Sequence, residues 1–192
     1  MRIHKILKNT KVEGPGVRYC IWFQGCSRHC KGCWAKATWD KDGGYEADEK
    51  EILSDILSTP NIEGVTFLGG EPFEQPEAIK FLSKGIKEAG LSVLCFTGNK
   101  IENISEKYSE ILEYIDLLID GEFIEEQKDY SRPWVGSKNQ RYHFLTDFYD
   151  ESILKKYKNK IEINVQKNGV IFVNGMGDFD KFTEKLDMLS IH

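Results

Sequence analysis

Three cysteines fall within eight residues, in the run Cys26-Ser-Arg-His-Cys30-Lys-Gly-Cys33, and Trp34 follows directly. The spacing is C-x3-C-x2-C, with Gly25 before the first cysteine and Gly32 before the last. A loop this tight can turn three thiolates toward one soft metal centre, and its glycines let the backbone curl around that centre. A structural zinc site takes four ligands, often as two separated C-x2-C pairs, and no second pair occurs here. Three thiolates are also one short of the four that usually hold a [4Fe–4S] cluster. Such a cluster would leave one iron open, and an open metal position is where chemistry happens. Zinc would need a fourth ligand, for which His29 and His4 are the nearest candidates in sequence.

The elements around the loop are those of an α/β chain. A short apolar-alternating piece and the Glu13-Gly-Pro-Gly16 turn lead to a strand over 17–23, which delivers the chain into the cysteine loop. Cys20 lies inside that strand and reads as a small buried hydrophobe. After a polar connection, Asp48 caps a helix over 49–58, with Ile52, Leu53, Ile56 and Leu57 as its apolar stripe. Strands follow over 65–68, 92–96 and 116–120, and helices over 76–89 and 105–114. The strand–helix rhythm predicts parallel strands with helices outside. In such sheets the active loops sit at the carboxyl ends of the strands. The cysteine loop, Gly69-Gly70-Glu71-Pro72, Thr97-Gly98 and Asp120-Gly121 all occupy those ends, so they are expected to share one rim. Residues 122–140 are polar and irregular, and a loop this long is more often functional than idle. A strand over 141–146, a helix near 150–158, a hairpin around Asn168-Gly169 and a helix over 178–189 complete the expectation.

The 192 residues suffice for one domain, 1–192, and 40% hydrophobic with 30% charged residues is ordinary for a globular protein. No apolar run reaches the length of a membrane span, and the N-terminal Met-Arg-Ile-His-Lys-Ile lacks a signal-peptide core. A cytoplasmic location is expected, where thiols stay reduced. The odd count of five cysteines argues against a disulfide framework. A net charge of −5 gives no electrostatic basis for gripping a nucleic-acid backbone.

The cysteine spacing resembles that of the radical S-adenosylmethionine (radical SAM) enzymes. Seven further pieces, taken in order, narrow the likeness. Gly14-Pro-Gly-Val-Arg18, Phe23-Gln-Gly-Cys26, Cys30-Lys-Gly-Cys33, Thr38-Trp-Asp40, Gly69-Gly-Glu-Pro72, Asp120-Gly-Glu-Phe123 and Gly136-Ser-Lys-Asn-Gln-Arg141 resemble the activating proteins of anaerobic (class III) ribonucleotide reductases. Ala35 stands where that family usually has Asn, and Val135 where it has a basic residue.

The resemblance implies a partial, open β/α barrel. It implies a [4Fe–4S] cluster on Cys26, Cys30 and Cys33, with S-adenosylmethionine chelating the fourth iron. Gly32 and Trp34 would lie beside that cofactor, Trp34 near the adenine. Gly69, Gly70, Glu71 and Pro72 would hold the methionine amino group, and Thr97, Gly98 and Asp120 would touch the cofactor or a nearby cation. A strand-end Asp before Gly is equally common turn chemistry. The implied activity is reductive cleavage of S-adenosylmethionine, with an electron from a reduced flavodoxin or ferredoxin. The product radical would take a hydrogen atom from a glycine of a large partner enzyme. Arg132, Trp134 and Arg141 are candidates for docking that partner. A radical SAM enzyme acting on another substrate and a zinc-bearing binding module are the competing readings.

Overall fold

A computed structural model describes residues 1–165, 169 and 171–178. The chain opens with β1 (Arg2–Thr10) and β2 (Arg18–Phe23), then a two-residue β3 (Tyr45–Glu46) and α1 (Glu49–Ser58). It continues through β4 (Gly64–Gly69), α2 (Pro76–Glu88), β5 (Ser92–Phe96), α3 (Ile101–Leu112) and β6 (Leu117–Asp120). It closes with β7 (Arg141–Phe144), β8 (Ile161–Val165) and β9 (Ile171–Gly175). Seven strands form one sheet in the order β3-β1-β2-β4-β5-β6-β7, and β8 and β9 pair separately as an antiparallel hairpin.

The four strands that alternate with helices, β2, β4, β5 and β6, are parallel to one another. Antiparallel strands flank them, with β1 and β3 on one side and β7 on the other. The parallel strands are buried on both faces, which explains their near-continuous apolar character. On one face Tyr19, Ile21, Phe23, Val65, Phe67 and Val93 pack against Ile79, Leu82 and Ile86 of α2 and against Ile52 and Ile56 of α1. Each fully buried Ile or Leu there contributes about 1.5–3 kcal/mol. On the other face Cys20, Trp22 and Leu68 meet Leu7 and Phe96. Beside them Leu94, Leu117, Ile119, Trp134 and Val135 form a further cluster. Val135 is fully buried there, so its position serves packing rather than charge.

Local signals explain several boundaries. Asp48 caps α1 as expected, accepting the backbone N–H groups of Lys50 and Glu51. α3 begins four residues before the predicted start at 105. Its first free N–H, on Ile101, is taken by Asp120 at 2.8 Å, so the capping carboxylate comes from a strand 19 residues away. Non-helical torsions at Tyr108 also break its periodicity. The helix expected near 150–158 is only a 3-10 turn, Glu151–Lys155, capped by Asp150. The helix expected over 178–189 falls almost wholly outside the described residues. Among them, no helix is long and apolar enough to cross a membrane.

Candidate functional site

The cysteine loop is pinned from three sides. Leaving β2, the backbone N–H of Gly25 donates to the Thr38 carbonyl at 2.7 Å and that of Cys26 to the Trp39 carbonyl at 3.1 Å. The Trp39 indole stacks on His29 at 4.5 Å. From another side Glu74 receives the Ser27 N–H at 2.7 Å and the Ser27 hydroxyl at 2.6 Å. The Cys33 N–H closes a turn onto the Cys30 carbonyl at 3.1 Å. Left-handed φ angles at Gly25 (98°), His29 (49°) and Gly32 (74°) let so short a segment coil.

The turn after β4 packs directly on this loop. The Gly70 N–H donates to the Phe23 carbonyl at 2.9 Å and the Glu71 N–H to the Gly25 carbonyl at 2.8 Å. A Cβ on Gly69 would stand 2.7 Å from the Trp22 Cα, and one on Gly70 only 2.1 Å from the Gly25 carbonyl oxygen. Both glycines therefore answer first to the neighbouring backbone rather than to a ligand. The Glu71 side chain is 3% exposed and fully engaged by the protein. Its carboxylate accepts from the Phe73 N–H at 3.1 Å, the Thr97 hydroxyl at 2.7 Å and the Gly98 N–H at 2.9 Å, and the Arg28 Nε lies 3.5 Å away. Burial pushes that carboxyl up, against the pull of these donors. The result is one bonded unit joining the ends of β2, β4 and β5.

A cavity of about 360 Å³ opens beside this unit. Cys26, Cys30, Cys33, Gly32 and Trp34 line it, and so do Gly69, Gly70, Glu71, Thr97 and Gly98. The strand-end loops thus meet where they were expected to. Pro72 and Asp120 do not line it: Pro72 is buried in the following turn, and Gly121 takes the wall position after β6. Asp120 is fully buried and holds Arg141 at 2.5 Å, the Ile101 N–H at 2.8 Å and His143 at 3.2 Å. Burial works to raise its pKa, but Arg141 and the other donors hold the carboxyl below the usual range. The cation paired with Asp120 in this structure is the chain's own Arg141.

Residues of the floor and far wall carried no local signal. Trp22, Leu68 and Phe96 form an apolar floor, and Lys5 places its ammonium 4.3 Å over the Trp22 ring. Glu13 is buried and accepts from the Gly175 N–H at 2.7 Å and from Asn174 at 3.3 Å. Those partners lie on β9, so the hairpin forms part of the wall. Of the three docking candidates only Trp134 is buried; Arg132 and Arg141 are bonded to neighbours yet keep 35% and 44% of their side chains exposed. Arg132 bonds Asp129 and the carbonyls of Ser137, Lys138 and Gln140, Trp134 is 2% exposed, and Arg141 pairs with Asp120 and Glu102.

The three loop cysteines are free, partly buried, and open to one cavity. The backbone N–H groups of Arg28 and His29 lie beside the Cys26 sulfur, and that of Phe123 beside the Cys30 sulfur, where they favour the thiolates. Burial raises both thiols against them. Soft thiols with backbone N–H groups beside them fit an iron–sulfur cluster. Among the described residues no group of three or more His, Cys, Asp or Glu side chains is placed to hold a metal ion, Cys26, Cys30 and Cys33 included. The two histidines considered for zinc are otherwise engaged, His29 on Trp39 and His4 on Gln24 at 3.2 Å.

Comparison with known proteins agrees with this geometry. The family described as "4Fe-4S single cluster domain" matches residues 12–143. The anaerobic ribonucleoside-triphosphate reductase-activating protein of Escherichia coli K12 is 31% identical over 153 residues, covering 76% of this chain and 99% of that protein. Its namesake in Enterobacteria phage T4 is 34% identical, over 77% of this chain and 96% of that protein. The pyruvate formate-lyase-activating enzyme of Clostridium pasteurianum is 38% identical over 124 residues, 62% of this chain and 50% of that protein. The chain belongs to the 4Fe-4S single-cluster-domain family and to that of the anaerobic ribonucleoside-triphosphate reductase-activating proteins.

Proposed function

We propose that this protein is a radical SAM activase that installs a glycyl radical on an anaerobic ribonucleotide reductase. The observation that carries the reading is the meeting of three free cysteines with the glycine-rich ends of β4 and β5 on one cavity. Cys26, Cys30 and Cys33 are the cluster ligands in this reading. Gly32, Trp34, Gly69, Gly70, Glu71, Thr97 and Gly98 surround S-adenosylmethionine. Pro72 and Asp120 act from behind, one shaping the turn and the other capping α3. The four parallel strands with helices on one face form a partial barrel, and the chain works as one domain.

When bound and reduced by one electron, the cluster supplies cleavage of the carbon–sulfur bond of S-adenosylmethionine, so that a hydrogen atom can be taken from a glycine. The protein's own part is positional. Glu74 and Trp39 hold the cysteine loop in register with β2, and Glu71 fixes the turn that walls the cofactor's cavity. Trp22, Leu68 and Phe96 keep the cavity floor apolar, which excludes water from a reactive intermediate. Reduced flavodoxin or ferredoxin is the electron donor in this account. The cytoplasm is its setting in this account.

The test is electron paramagnetic resonance of the anaerobic reductase after mixing with reconstituted protein, S-adenosylmethionine and reductant. A glycyl doublet is the expected result, and its absence from a reductase that another activase can charge would defeat the assignment. A second reading, activation of a pyruvate formate-lyase, draws on the 38% identical relative and is read in the same assay with that enzyme as partner.

A further inference from the structure

Residues 122–126 lie across the cysteine loop. Lys31, between two of the cysteines, holds Glu125 at 3.1 Å and Glu126 at 2.9 Å. Arg28, between Cys26 and Cys30, lies 3.9 Å from Glu122. Glu125 rests against Gly32, where a Cβ would come within 2.8 Å of its Oε1. Between these anchors the Phe123 N–H lies beside the Cys30 sulfur. The backbone of the segment is held differently. The Glu122 carbonyl accepts from the Asn139 side-chain amide at 2.8 Å, the Ile124 N–H bonds the Ser137 hydroxyl at 3.2 Å, and the Lys138 N–H bonds the Gln127 carbonyl at 2.9 Å. These bonds tie it to the loop built around Arg132. The backbone is therefore fixed on that side by hydrogen bonds, while its side chains reach the cysteine loop through exposed ion pairs, which are individually weak.

We propose that residues 122–126 form a strap, latched electrostatically to Lys31 and Arg28, that shields Cys30 and tunes the reduction potential of the cluster through the Phe123 amide. The tuning rests on the cluster reading above; the shielding does not. A backbone N–H directed at a ligand sulfur stabilises the electron-rich, reduced cluster and so raises its potential. Phe123 and Glu125 are thus positioning residues, acting through Cys30 and Gly32.

Two measurements test the strap. In anaerobic apoprotein, iodoacetamide labelling followed by peptide mass spectrometry reads the three thiols separately. The double variant Glu125→Lys, Glu126→Lys reverses the latch and should speed labelling of Cys30 by about tenfold, as reversal of several weak exposed pairs together allows. Cys26 serves as the internal reference. Unchanged Cys30 labelling, or equal acceleration at Cys26, overturns the strap.

In the reconstituted protein, potentiometric titration compares Phe123→Pro, which lacks the N–H, with Phe123→Ala, which keeps it. A tenfold loss in the reduction equilibrium, about 59 mV for one electron, is expected for the proline variant alone. Equal potentials in the two variants overturn the tuning. Failure of the proline variant to hold a cluster that the alanine variant holds supports the amide as a support for Cys30. If the parent protein itself assembles no cluster, the cluster reading fails, and labelling still decides the strap.

Discussion

Replacing Glu71 with Gln tests whether one buried carboxylate holds the site together. The substitution keeps the shape and one acceptor oxygen, which can still serve the Phe73 N–H and the Thr97 hydroxyl. The other oxygen becomes an NH2 group facing the Gly98 N–H, now 2.9 Å away with no acceptor between them, and facing Arg28 at 3.5 Å. One hydrogen bond to a charged acceptor is lost, at about 1.5–3 kcal/mol, and a buried N–H is left unpaired. Arg28 is 27% exposed, so its ion pair adds little more. A total near 3 kcal/mol lowers Tm by roughly 6–12 °C in a chain of this size. Thermal unfolding of the anaerobic apoprotein, followed by circular dichroism, measures it. A variant melting within about 1 °C of the parent would refute the claim that this carboxylate staples the ends of β4 and β5.

Other substitutions probe the same architecture. Gly70→Ala would drive a methyl into the Gly25 carbonyl, 2.1 Å from the ideal Cβ, and should break the Glu71–Gly25 bond. Loss of cluster-binding capacity, read as iron retained after reconstitution, is expected; full retention would contradict the geometry. Arg18→Met removes a fully buried guanidinium from Thr66, Ser92, Tyr149 and the Val65 carbonyl. It should cost about 3–5 kcal/mol by stranding two or three buried polar groups, measured as the urea midpoint. Acid sensitivity has a defined source. Asp129, bonded to Ser131 and Arg132, and Glu102, bonded to Arg141, are each held down to about 2. The folded carboxyls bind protons less tightly than the unfolded ones, so their stabilisation is present above the usual carboxylate range and is lost as pH falls from about 4.5 toward 2. Asp129→Asn should flatten the urea midpoint across that window, and an unchanged slope would remove Asp129 as a contributor.

What could be read in advance was what the chain encodes locally. The cysteine spacing, the Asp48 cap and the apolar runs of β4 and β5 are written within a few residues each, and the structure follows them. The shared rim was legible too, because alternating strands and helices force parallel order and bring the strand ends together. The misses share a cause in distance along the chain. α3 starts early because Asp120 caps it from the next strand, and that duty turns Asp120 away from the cavity. Glu13 reads as part of a turn, yet its partners Asn174 and Gly175 lie more than 160 residues on. The Gly69–Gly70 pair reads as a ligand cradle, but packing against β2 and Gly25 already requires it. Nothing in Glu122 to Glu126 announces that it will lie over Lys31.

The central claim is that three thiols and an open iron on this cavity split S-adenosylmethionine. Release of 5′-deoxyadenosine from anaerobically reconstituted, dithionite-reduced protein tests it most directly, with Cys30→Ala as the matched control. The account predicts steady release from the parent and none from the variant. A parent preparation that holds zinc firmly and releases no 5′-deoxyadenosine would contradict it.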